Sequence, residues 1–100
     1  GTFDSKYEAL CAIQLKGLEK RGVIKNLKFQ VPFELVPKTV HNGKSIRATK
    51  YVLDFLFDEK RGDTWQKVAA DAKGFRTQVY IIKMKFFIYK YGHEYEFREM

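Results

Sequence analysis

Apolar and polar residues follow a helical rhythm near the start of the chain. Ser5, with Glu8 three residues later, fits an N-terminal capping box. Ala9, Ala12, Ile13 and Leu18 supply an apolar face, and Glu19-Lys20-Arg21-Gly22 closes it with basic residues and a glycine. This predicts a helix from about Ser5 to Arg21. The period then changes to two. Leu27, Phe29, Val31, Phe33 and Leu35 alternate with Lys28, Gln30, Pro32 and Glu34, the pattern of a half-buried strand. Pro32 has no amide proton, so the strand is expected at a sheet edge or a bulge. His41-Asn42-Gly43-Lys44 carries hairpin-turn chemistry. A second strand is expected from about Ile46 to Phe57. Its later part, from Tyr51 onward, is apolar on both faces and therefore central.

Asp58 to Asp63 reads as a polar loop, and a third strand is expected from about Thr64 to Lys73. Gly74 breaks it. Thr77 can cap a second helix reaching about Tyr91, where Gly92 ends it. That helix is rich in Val, Ile, Met and Phe, so it is expected to be buried on more than one side. Glu94 to Arg98 alternates as a short last strand. The predicted class is α/β in the order helix, three-stranded antiparallel meander, helix, strand. It forms a single domain over residues 1–100, without repeats or linkers.

Composition narrows the function. Lys and Arg number 19 against 12 acids, a formal net charge of +7, while 45% of residues are hydrophobic and 16% aromatic. Such a chain is too apolar for a disordered basic tail and points to a polyanionic partner, nucleic acid first. One cysteine, Cys11, excludes an internal disulfide and fits a reducing, cytoplasmic setting. It sits among apolar neighbours, as a small core residue does. Two histidines and one cysteine do not make a zinc cluster, so a metal here would be a hard cation on carboxylates. No apolar run is long enough to cross a membrane, and the first residues do not read as a signal peptide.

Two acids stand out. Asp54 lies within the apolar second strand, between Leu53 and Phe55, where a charge is costly unless paired or bound to a cation. Asp71 follows Val68-Ala69-Ala70, and Lys73, two residues on, shares its face of a strand. If the second and third strands pair, Asp54 and Asp71 converge. Adjacent carboxylates repel, and a divalent cation relieves that repulsion. A neighbouring lysine can stabilise charge developing on a phosphate or orient water. The plainer reading is an Asp71–Lys73 ion pair at a strand end, with Asp54 bonded to backbone donors. Glu8 is likewise either a helix cap alone or a further acid of the same site.

The ordered stretches Phe3-Asp4-Ser5-Lys6-Tyr7-Glu8-Ala9, Gly22-Val23-Ile24-Lys25-Asn26-Leu27, Gln30-Val31-Pro32-Phe33-Glu34-Leu35, Tyr51-Val52-Leu53-Asp54-Phe55 and Asp71-Ala72-Lys73-Gly74, with Thr77, Tyr80 and Lys83 beyond, span almost the whole chain. They resemble the PD-(D/E)XK nuclease superfamily, and within it a family of short phage and prophage endonuclease-like proteins. The resemblance implies a restriction-endonuclease-like core and a magnesium- or manganese-dependent site. Asp54 and Asp71 would hold metal, with the Ala72 carbonyl as a further ligand; Lys73 would be the catalytic lysine and Glu8 the helix-borne acid. Asp54 follows Leu53 rather than a proline, and Ala70 stands where relatives often carry another acid. The match begins slightly late in the family pattern, so a short N-terminal piece is expected to be missing.

Tyr80, Lys83, Phe87 and Lys90 recur at helical spacing, and Lys38, Lys44, Arg47 and Lys50 cluster around the hairpin. With Arg76 they are the candidate DNA contacts, directed at phosphate and shape rather than sequence; the plainer reading makes Tyr80 and Phe87 core and the lysines a solvated face. The expected activity is divalent-metal-dependent DNA endonuclease cleavage, specific for branched DNA such as a Holliday junction, by a phage- or prophage-encoded homodimer in the bacterial cytoplasm. The alternatives are a catalytically degenerate nucleic-acid-binding module of the same fold and a basic phage adaptor protein.

Overall fold

Helix α1 (Lys6–Lys20) begins where the capping pattern starts: the Ser5 hydroxyl accepts the Glu8 amide proton at 3.1 Å. The structure is a computed structural model that describes residues 5–73 and 75–100. Gly74 and the Phe3-Asp4 start of the resemblance therefore lie outside the described residues. The buried positions of α1 are Glu8, Cys11, Ala12 and Leu15. That three-one-three spacing is a single helical stripe, so packing of Cys11, Ala12 and Leu15 carries Glu8 toward the sheet. Ile13, expected on the packed face, is 66% exposed instead, because the stripe runs one position away from it.

Strand β1 (Ile24–Val36) pairs only with β4 (Thr49–Arg61), which puts Pro32 on an edge strand, as its missing donor requires. The β1 backbone is irregular. Asn26 and Gln30 have φ of 57° and 53°, and the register slips between Lys25 and Lys28. The alternation expected from Leu27 to Leu35 therefore does not translate into one evenly buried face. Phe29 is partly exposed, and its ring meets Phe55 edge-on at 5.8 Å.

The expected second strand is divided. Thr39–His41 (β2) and Lys44–Ile46 (β3) form a separate two-stranded hairpin whose six residues are all exposed, and β4 starts afresh at Thr49. Its turn has positive φ at both Asn42 (50°) and Gly43 (73°), the geometry that Asn-Gly favours. At its other end β4 continues to Arg61, so the polar loop expected over 58–63 shrinks to a turn at 62–63. Strand β5 (Thr64–Asp71) returns antiparallel to β4. Helix α2 (Gln78–Tyr91) then leads to β6 (Glu96–Glu99), which pairs parallel to β5. The sheet order is β1-β4-β5-β6. The fold is mixed α/β, with a mostly antiparallel sheet and two helices.

Two apolar clusters hold it together. One joins Cys11, Ala12 and Leu15 of α1 to Ile24, Phe55, Phe57, Val68 and Ala70. The other joins Tyr80 and Phe87 of α2 to Leu35, Tyr51, Leu53 and Ala69. Within β4, Leu53 belongs to the α2 cluster and Phe55 to the α1 cluster. Asp54 is the residue between them. Helix α2 departs from expectation. Tyr80 and Phe87 are buried, but Val79, Ile82, Phe86 and Tyr89 are exposed, so its apolar character is covered on one side only.

Candidate functional site

The β4–β5 ladder is regular from Arg61↔Thr64 to Phe55↔Ala70. The next pair would be Asp54 opposite Asp71. There side chains replace the ladder. The Asp54 amide donates to Asp71 Oδ1 at 3.3 Å, and the Ala72 amide donates to Asp54 Oδ2 at 2.9 Å. Each aspartate thus takes a backbone proton from the other strand, and the two carboxylates are fixed side by side. Asp54 is 7% exposed and Asp71 fully buried.

Tyr51 and Lys73 complete the surroundings of Asp71. The Tyr51 hydroxyl donates to Asp71 Oδ2 at 2.8 Å, and Lys73 Nζ lies 3.4 Å from the same oxygen. Lys73 also sits 5.1 Å above the Tyr80 ring. The ammonium therefore bridges the buried acid and the surface. On the other side, Gln30 Nε2 donates to Glu8 Oε2 at 3.0 Å and to Asp54 Oδ1 at 3.2 Å. Gln30 is held in the left-handed region to do so, a conformation costing on the order of 1–3 kcal/mol for a residue of this kind. Glu8 meets the helix cap through its backbone amide, while its carboxylate accepts from Gln30, which also bonds to Asp54.

Electrostatics distinguish Asp71. Burial first, and then the proximity of Asp54, push its carboxyl up to about 7, while the Tyr51 hydrogen bond and Lys73 oppose that rise. Burial and Asp71 raise the Tyr51 phenol well above its ordinary value, so it keeps its proton. Tyr51 is a neutral donor to an acid that already has a negative neighbour. No side-chain polar atom is left buried without a partner among the described residues.

The donor set suits a hard cation: two carboxylates are held together, and burial beside Asp54 raises Asp71, a strain that a cation would relieve. Among the described residues, no group of three or more His, Cys, Asp or Glu side chains gathers into a ready metal cage. Magnesium does not require one, since it is commonly held by one or two carboxylates and its own waters.

A family described as a protein of unknown function, DUF1064, matches residues 1–98. The chain belongs to that family. No curated protein and no solved structure matches the chain. In this family member the predicted site acids Glu8, Asp54 and Asp71 are buried, the exposed Gln30 bonds to Glu8 and Asp54, and Lys73 reaches Asp71 from the surface. Gln30 and Tyr51 carry site hydrogen bonds that sequence patterning does not reveal. Gln30 reads there as one polar position of an alternating strand and Tyr51 as core. Their stretches, Gln30-Val31-Pro32 and Tyr51-Val52-Leu53-Asp54, are nonetheless among those that carry the resemblance.

The predicted DNA contacts divide into groups. Lys44, Arg47 and Lys50 are exposed on and beside the hairpin, and Lys50 stands opposite Glu34 across β1 and β4. Lys83 is half-buried on α2. Arg76 is paired with Glu99, and Lys90 Nζ donates to the Glu34 carbonyl at 3.1 Å. Tyr80 must be corrected. It is 7% exposed, packs against Tyr51 and donates its hydroxyl to Glu99 at 2.7 Å, so it is core and not a surface for stacking bases. Phe87, on the same stripe, is fully buried for the same reason. A cavity of about 280 Å³ opens farther along β4, beside Asn26, Lys28, Asp58, Lys67 and Tyr95, and contains none of the predicted site residues. No helix among the described residues is long and apolar enough to cross a membrane.

Proposed function

We propose that this protein is a magnesium- or manganese-dependent DNA endonuclease with a restriction-endonuclease-like core. The observation that carries this reading is the crossed pair of backbone bonds holding the Asp54 and Asp71 carboxylates together, with Lys73 at the rim. The element order, a helix, an antiparallel meander, a helix and a parallel strand, supports the same reading.

Asp54, Asp71 and the Ala72 carbonyl would hold the cation, which supplies Lewis-acid stabilisation to a phosphate gaining negative charge. Lys73 brings a positive charge to that phosphate and can orient the water that attacks phosphorus in line with the departing sugar oxygen. Its anchor on Asp71 limits where the ammonium can lie. Glu8, tied through Gln30 to Asp54, supplies a carboxylate able to take up the proton that water releases. The net reaction adds water across one P–O bond, leaving a phosphate on one DNA end and a hydroxyl on the other. Phosphate contacts come from Lys44, Arg47 and Lys50 around the hairpin and from Lys83 on α2.

The sequence carries no stretch resembling a base-reading helix, which favours branched DNA such as a Holliday junction over a sequence-specific substrate. Cutting both strands symmetrically calls for a homodimer. The test is cleavage of labelled linear, nicked, forked and four-way DNA with and without Mg²⁺ or Mn²⁺, by wild type and by Asp71→Asn and Lys73→Ala. Cleavage that requires the metal and vanishes in both variants is expected. Metal-independent cleavage, or retained cleavage by either variant, removes the assignment. Tight binding with no cleavage identifies a degenerate nuclease instead.

A further inference from the structure

Asp71 is the most enclosed polar residue of the site, yet its surroundings are asymmetric. Oδ1 accepts the Asp54 amide proton at 3.3 Å. Oδ2 receives the shorter bond, 2.8 Å, from Tyr51. Tyr51 lies three residues before Asp54 on β4, beyond the last regular β4–β5 pair, and its length spans the region where the ladder has ended. Its ring is fixed by edge-on packing at 6.2 Å to Tyr80 and 5.9 Å to Phe87, both on α2. Tyr80 directs its own hydroxyl to Glu99. The phenol facing Asp71 is thus held by packing on the helix.

We infer that Tyr51 is the positioning residue for the metal-holding carboxylate of Asp71, and that α2 sets that carboxylate by packing against the Tyr51 ring. The inference rests on the nuclease reading and assigns a role to a residue outside its catalytic set. A neutral donor suits the task. A fully charged partner at 2.8 Å would orient the carboxylate but cancel the charge a cation needs; a phenol orients it and leaves that charge in place. Lys73, the charged neighbour, stands farther off at 3.4 Å.

The experiment measures Mn²⁺ binding by calorimetry, and DNA cleavage across a Mn²⁺ series, for wild type, Tyr51→Phe and Tyr91→Phe. Tyr51→Phe keeps the ring and removes only the donor. Its Mn²⁺ Kd should rise roughly 10- to 100-fold, the usual effect of losing an outer partner of a ligand. Its cleavage should fall at low Mn²⁺ and recover as Mn²⁺ is raised, which a purely structural defect would not do. Tyr91→Phe, in the same aromatic cluster but donating its hydroxyl to the Glu34 carbonyl, should bind Mn²⁺ as wild type does. An unchanged Kd in Tyr51→Phe, or an equal loss in Tyr91→Phe, overturns the inference while leaving the nuclease reading intact. A wild type that neither binds Mn²⁺ nor cuts overturns both.

Discussion

Two groups of acids lie along the same sheet and are treated in opposite ways. In one group Glu59, Glu96 and Glu99 are matched with arginines. Arg98 grips Glu59 with both nitrogens, at 2.8 and 3.0 Å, and also contacts Glu96; Arg61 bridges the same two acids, and Arg76 holds Glu99. In the other, Asp54 and Asp71 are fixed to each other's strands, with neutral donors Gln30 and Tyr51 and a lysine at 3.4 Å. The consequences diverge. Hydrogen bonds from Arg98, with help from Arg61, pull Glu59 down to about 2, whereas burial and Asp54 push Asp71 up. The arginine-paired acids are partly exposed and join β4 to β6. The buried acids are held in place with their charge largely uncompensated, an arrangement that costs stability and that a bound cation relieves.

The sharpest way to break this contrast is to neutralise one acid from each group. Asp71→Asn should reduce metal-dependent cleavage by more than the roughly 10- to 100-fold typical of losing an outer partner, with little loss of thermal stability at pH 8. Glu59→Gln should do the reverse, lowering the melting temperature and leaving cleavage intact. Equal activity losses in both would erase the distinction. On the arginine side, Arg98→Ala removes the fork from Glu59 and a contact from Glu96. Because these groups are partly exposed, the cost should be about 1–2 kcal/mol in chemical denaturation, with cleavage retained.

The two groups also predict opposite pH slopes. Asp71 has its folded pKa above its unfolded one, so its contribution to stability is full below about pH 4 and is lost as pH rises through about 7. Glu59 is lowered, so its contribution is present above about pH 4.5 and is lost as pH falls toward 2. Thermal melts from pH 3 to 8 should therefore lose the upper slope in Asp71→Asn and the lower slope in Glu59→Gln. Added Mg²⁺ should raise the wild-type melting temperature most at the alkaline end, where Asp71 is charged. The same slopes in variant and wild type would refute the contrast. The smallest expected effect concerns the surface. Lys44→Ala and Arg47→Ala should each weaken DNA binding and reduce its salt slope by roughly one, without changing the melting temperature.

Much of the fold was legible because local rules and tertiary needs agree. The Ser5 cap, the Asn42-Gly43 turn, the Thr77 cap and the edge position of β1 each follow from the preference of one or two residues. Readings failed where packing chose among equivalent local options. Ile13 and Leu10 are as apolar as Leu15, but only one stripe of α1 meets the sheet. Tyr80 and Lys83 share a helix, and packing against Tyr51 took the tyrosine inward. Asp54 and Asp71 could be singled out because acids in apolar runs are conspicuous, Lys73 because it stands two residues from Asp71, and Glu8 because it completes the capping pattern with Ser5. Gln30 and Tyr51 could not, because a glutamine on a strand and a tyrosine in a core are ordinary.

The sequence by itself determined where both helices and the outlines of β1, β5 and β6 form and which acids sit in apolar surroundings, since these depend on the residue and its near neighbours. Only the tertiary structure decided that Asp71 accepts the Asp54 amide while Asp54 accepts the Ala72 amide, that Glu8 arrives on the packed stripe of α1, and that Tyr51 reaches Asp71 from beyond the end of the ladder. These contacts join positions 17 to 46 residues apart, such as Asp54 with Asp71 and Glu8 with Asp54 through Gln30. Their geometry depends on strand register and on where pairing stops, and these are settled by the burial of the whole core rather than by any local preference.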